Sequence, residues 1–138
     1  MDIYEELVMH YLCDGKPHIF LSPNFRLAGG WAFPDFVVLD FRANPKIVSV
    51  VEVTTSASPV SLLRKVEERK TQWFDKLKEQ LQRNSVVDDA WIYKVEVFVR
   101  EDAAKRFKER FTGQSDVDIH ELDETTLRSW KWDWTERE

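Results

Sequence analysis

The chain is short of the residues that staple folds or interrupt them. One cysteine, Cys13, stands among 138 residues, so no internal disulfide framework is open to it and no second thiol sits at metal-ligand spacing. A buried structural thiol in a reducing cytosol is the expected role. Four glycines and five prolines exclude low-complexity organisation, and no repeat or long linker divides the sequence, so residues 1–138 read as a single domain large enough for a real core. No apolar run approaches the ~18 residues of a membrane span. The opening MDIYEELVMHYL is acidic and amphipathic, unlike a signal peptide. A cytoplasmic protein without membrane contact is expected. Histidine is scarce as well: His10 and His18 have no second histidine at ligand spacing and read as structural or exposed. No G-x-x-x-x-G-K-[ST] loop, G-x-S-x-G elbow, H-E-x-x-H or C-x-x-C occurs, which removes the reactions those motifs support.

Charge is plentiful but unbalanced. Lys and Arg number 20 against 25 Asp and Glu, a net charge of −5 with a pI near 5.3. Phosphate contacts supply most nonspecific affinity for nucleic acid, so this balance argues against a protein that coats DNA. It says less about an enzyme that visits DNA with one basic face, because bound cations neutralise the acids of such a site.

The hydrophobic pattern predicts an α/β order. Ile3, Tyr4, Leu7, Val8, Tyr11 and Leu12 form one helical stripe over residues 2–13, with Asp14-Gly15 as its stop. HIFLSPNFRL (18–27) reads as a strand interrupted near Pro23, an edge or a bulge. The pair Gly29-Gly30 gives a flexible break ahead of two apolar strands, Phe33–Phe41 and Ile47–Thr55, joined by a turn through Arg42–Pro45. Ser58 and Pro59 cap a helix running to about Arg83. A strand over Trp91–Arg100, a helix over Glu101–Phe111, a short strand over Asp116–Leu122 and a last helical turn from Asp123 follow.

Each of the two apolar strands carries an acid where an aliphatic residue belongs. By alternation, Asp35 shares a face with Val37, Leu39 and Phe41, and Glu52 with Val48, Val50 and Thr54. An unpaired carboxylate among valines and leucines is costly. Two of them on paired strands can resolve that cost together by holding a divalent cation.

Pro34-Asp35, sixteen residues, then Glu52-Val53-Thr54 resembles the PD-(D/E)xK nuclease superfamily, with wording closest to archaeal Holliday-junction resolvases. The resemblance spans roughly residues 5 to 82. It implies a restriction-endonuclease-like α-β-β-β-α-β core, here with a C-terminal α-β-α extension. It also implies a Mg²⁺- or Mn²⁺-dependent hydrolase of phosphodiester bonds, with DNA as the expected substrate. Asp35, Glu52 and the Val53 carbonyl would be the metal ligands, oxygen donors that suit those hard cations. In that family a first-helix glutamate often assists. Glu5 and Glu6 are the candidates here, but both fall off the apolar stripe and read as solvated surface acids. The lysine of the family motif is replaced by Thr54, which cannot supply a positive charge.

One lysine is placed to replace it. In the helix after the second strand, Leu63, Val66, Trp73, Phe74, Leu77 and Leu81 form the stripe. Lys70 follows Val66 by four and precedes Phe74 by four, whereas Lys65, Lys76 and Lys78 lie off it. From Glu52 to the strand end is about 10 Å, and from Val60 back to Lys70 about 15 Å, so Lys70 is expected level with Glu52 as a migrated catalytic lysine. The competing reading is a lysine whose stem covers apolar surface while its ammonium stays in water. Trp130, Trp132 and Trp134 alternate in the tail beside Asp133 and the terminal acids. They suggest packing or a homodimer contact more than base stacking. The functional expectation is a metal-dependent nuclease using Asp35, Glu52 and Lys70. The alternative is a catalytically inactive member of the same fold that binds nucleic acid or protein.

Overall fold

The computed structural model describes residues 2–13, 15–16, 19–23, 25 and 34–122. The expected Gly29-Gly30 break, His18, the last helical turn and the tryptophan tail lie outside the described residues.

The first helix, α1 (Ile3–Cys13), begins with a reciprocal cap. Asp2 Oδ1 accepts the Glu5 N–H at 2.8 Å, while Glu5 Oε2 accepts the Asp2 N–H at 3.3 Å. Gly15 follows it at φ +67°, the left-handed geometry that a glycine adopts without a Cβ penalty. Five strands then form one mixed sheet in the order β1-β2-β3-β4-β5. They are β1 (Ile19–Pro23), β2 (Phe36–Asp40), β3 (Ile47–Val53), β4 (Ile92–Val99) and β5 (Val117–Glu121). The β1–β2 and β2–β3 pairs are antiparallel; β3–β4 and β4–β5 are parallel. Pro23 closes the edge strand β1, where its missing N–H costs no ladder bond.

Each parallel pair needs a helical crossover. The first is α2 (Val60–Glu67), a π-turn over Lys70–Phe74 and α3 (Asp75–Arg83); the second is α4 (Glu101–Arg110). Successive crossovers of one hand that step the same way across a sheet land on the same face. Accordingly, Val66, Trp73, Leu77 and Leu81 share a core with Ala103, Ala104 and Phe107, over Val37, Leu39, Val48, Val50, Val95 and Val97. On the opposite face, Val8 and Leu12 of α1 pack with Phe36, Val38, Val51, Phe98 and Leu122. The architecture is thus α/β, with one sheet between two helical layers. Among the described residues, no helix is long and apolar enough to cross a membrane.

The expected helix over 59–83 is one crossover but not one regular helix. The Asp75 N–H bonds to the Lys70 carbonyl, five residues back rather than four, so one extra residue is accommodated and the helical phase shifts. Arg69, not Lys70, takes the half-buried place between Val66 and Trp73, and Lys70 is exposed.

Candidate functional site

β2 and β3 bring the two strand acids together as their pattern implies. Phe36 is opposite Val51, so Asp35, just before β2, falls level with Glu52 near the end of β3. Asp35 Oδ2 accepts the Val53 N–H at 2.8 Å. The Asp35 charge in turn acts on the Glu52 carboxyl beside it. Asp35 is thereby tied to β3, and the two carboxyl groups lie within electrostatic reach of one another. N–H and C=O of one strand residue point to the same side. The Val53 carbonyl thus lies on the Asp35 side of β3.

Burial dominates the electrostatics. Withdrawal from water, and then the Asp35 charge, push the Glu52 carboxyl up to about 9 from an ordinary 4.5; the Lys65 ammonium acts the other way. Glu5 is also raised, first by burial and then by Asp35. The first-helix glutamate expected to be a plain surface acid is thus half-buried, within electrostatic reach of Asp35, and engaged in the α1 cap. Glu6 is exposed, as expected.

The structure does not bring Lys70 to this site. Lys70 lines a hollow with Arg69, Phe74, Asp75, Lys78, Tyr93 and Asp116. Tyr93 is opposite Val48, four residues below Glu52 and about 13 Å away along the strand. The extra residue of the π-turn follows Lys70 and cannot be read from spacing. The choice between Arg69 and Lys70 as the inward residue is settled by a partner. Arg69 Nε and Nη2 hold Asp116 at 2.6 and 2.9 Å. The lysine whose charge acts on Glu52 is Lys65, one turn into α2 and half-buried. A signal for it exists in the sequence: Lys65 is adjacent to Val66 and close to the start of the helix that leaves β3, hence near the acidic end of the sheet.

Thr54, at the position of the family's lysine, uses its Oγ1 to accept the Ser56 N–H at 3.2 Å and donates its own N–H to the Phe98 carbonyl at 3.0 Å. It serves as a turn residue. Among the described residues, no three His, Cys, Asp or Glu side chains converge as a metal-binding cluster. The donor set at the acid pair is two carboxylates, with the Val53 carbonyl beside them. The two carboxyl groups, one holding a proton far above its ordinary range, are hard oxygen donors; a cation held between them would replace the proton and relieve the repulsion.

Compared with known proteins, the chain matches no family model, no curated protein and no solved structure.

Proposed function

We propose that this chain is a divalent-metal-dependent nuclease of the PD-(D/E)xK kind, with Asp35 and Glu52 as the metal-holding acids and Lys65 as the catalytic lysine. The observation that carries this reading is the interlocked pair at the ends of β2 and β3: Asp35 bonded to the Val53 N–H at 2.8 Å, Glu52 against it, and the Lys65 charge acting on Glu52. The order α1-β1-β2-β3-crossover-β4 supports a restriction-endonuclease-like core.

The carboxylates of Asp35 and Glu52, with the Val53 carbonyl, would hold Mg²⁺ or Mn²⁺. When bound, such a cation supplies Lewis-acid stabilisation of a phosphodiester and acidification of water. The chain's residues do the rest. The Val53 N–H fixes one Asp35 oxygen. The low-polarity wall of β3 and α2 strengthens every charge interaction at the pair. The Lys65 ammonium, reaching from the helix rather than the strand, supplies the cation that Thr54 does not, and is placed to orient water and offset charge developing on phosphate.

A second reading has one observation in its favour. Thr54 is absorbed in the turn after β3, which suits a catalytically inactive member of the fold that binds nucleic acid or protein. Cleavage of end-labelled DNA with Mn²⁺ separates the two. Wild type is expected to cut, Asp35→Asn and Lys65→Met to lose about 10²–10³-fold in rate, and Lys70→Met to keep it. A wild-type protein that binds no Mn²⁺ by calorimetry and cuts no branched, linear or single-stranded DNA leaves the inactive reading in its place.

A further inference from the structure

The crossover helix bears cations on two flanks, and they face different parts of the sheet. Residues 60–83 hold seven Lys and Arg against four Asp and Glu, in a chain whose net charge is −5. Val66 and Leu77 point into the core. Lys65 and Lys76 each precede one of them by a single residue, so at ~100° per residue both occupy the same flank. The other flank carries Lys70, Phe74 and Lys78, which look onto Tyr93 of β4 and Asp116. The Lys65–Lys76 flank therefore faces β2 and β1.

On that side the edge strand presents an aromatic ring. Phe20 is 61% exposed and is opposite Leu39. Directly opposed residues share a face, and Leu39 belongs to the core under the crossover helix, whereas Ile19 and Leu21 pack toward α1. Phe20 thus stands on the face that carries Lys65 and Lys76. Leu39 is in turn opposite Val48, four residues from Glu52, so the ring lies about 13 Å along the strands from the acid pair. At the ~3.4 Å spacing of stacked nucleotides this is a reach of about four nucleotides.

We propose that the face between the lysine flank of the crossover helix and Phe20 of the edge strand holds single-stranded nucleic acid running from the acid pair, with its phosphates on Lys65 and Lys76 and a base stacked on Phe20. The inference rests on the nuclease reading above and assigns it a substrate form. Lysine ammoniums match backbone phosphates, and an exposed ring accepts any base by its π-face. A protein partner would use the apolar bulk of Phe20 instead of its plane, and leucine would serve it as well.

The test is anisotropy of a short labelled single-stranded DNA titrated with protein in EDTA, where binding is read without cleavage. Phe20→Ala and Phe20→Leu are expected to weaken binding at least five-fold, the lower bound for loss of one stacked base. Lys76→Gln should reduce the slope of log affinity against log salt by about 0.7, one phosphate contact on a single strand. Lys78→Gln, on the opposite flank, should change neither. Phe20→Leu binding as wild type overturns base stacking, and so does a loss in Lys78→Gln equal to that in Lys76→Gln. Should Phe20→Ala melt early, the leucine variant decides. The proposal also fails if every variant binds as wild type, even where Mn²⁺-dependent cleavage persists. If cleavage is absent but the binding pattern holds, the nuclease reading falls and that face stands as a single-strand binding surface.

Discussion

Among the described residues, Glu52 carries a large shift on folding. Its carboxyl goes from 4.5 to about 9 on folding, through burial and then the Asp35 charge. Between those values the folded protein keeps a proton that the unfolded chain has released. The native state therefore binds more protons, and stability falls as pH rises through this window. Urea unfolding at about pH 5.5 and about pH 8.5 should show a loss on the order of a few kcal/mol at the higher pH. Glu52→Gln, which imitates the protonated acid, should flatten the dependence. An unchanged slope in Glu52→Gln would assign it to another group. On the proposed metal site, Mn²⁺ affinity measured by calorimetry should rise over the same window, since a cation held by Glu52 would displace that proton.

At the scale of elements, the crossover helix is positioned by an ion pair as much as by its apolar stripe. Arg69 binds Asp116 through two nitrogens, reaches Gln114 Oε1 at 2.7 Å and donates to the Val66 carbonyl at 3.0 Å. It thereby ties the π-turn to the start of β5. Those Arg69 hydrogen bonds hold the Asp116 carboxyl below its ordinary 3.8. A depressed carboxylate contributes stability that is present above its unfolded value and lost as pH falls through the folded one. Arg69→Met should cost about 2 kcal/mol near neutrality, the scale of hydrogen bonds to a charged group. The difference from wild type should shrink in acid, as read by urea melts at about pH 7 and about pH 3. A cost that persists unchanged in acid would mean that the arginine's stem, not its charge, holds the helix.

In the molecule as a whole, one sheet serves two cores. Val48 and Val50 of β3 face the crossover helices while Val51 of the same strand faces α1. Neither layer can separate without stripping the strands of the other, so both should melt in one transition. Leu77→Ala on one face should cost about 2–5 kcal/mol, and Val8→Ala on the other a smaller amount. Each should shift a single midpoint seen alike by near-UV circular dichroism and tryptophan fluorescence. Two midpoints in Val8→Ala would show α1 to be a separate unit.

The sequence by itself determined the strand alternation and the Asp35–Glu52 pairing. Period two fixes which side chains share a face, and a short turn through Arg42–Pro45 leaves antiparallel neighbours little freedom of register. The α/β order and the helix spans were legible for the same local reasons, whereas Pro23 left β1 open as an edge or a bulge until the strand order put it at the edge. Only the tertiary structure decided which lysine attends the acids. Val66 leaves Arg69 and Lys70 equally eligible to point inward at helical spacing, and the choice fell to Asp116, 47 residues beyond Arg69. The π-turn that follows shifts the helical phase by one residue, which no spacing rule records. Glu5 likewise read as a surface acid from its own helix, because the burial and then the Asp35 charge that raise its pKa come from tertiary packing, with Asp35 standing just before β2. Local periodicity sets what a segment can be, and long-range partners choose among the side chains it leaves eligible.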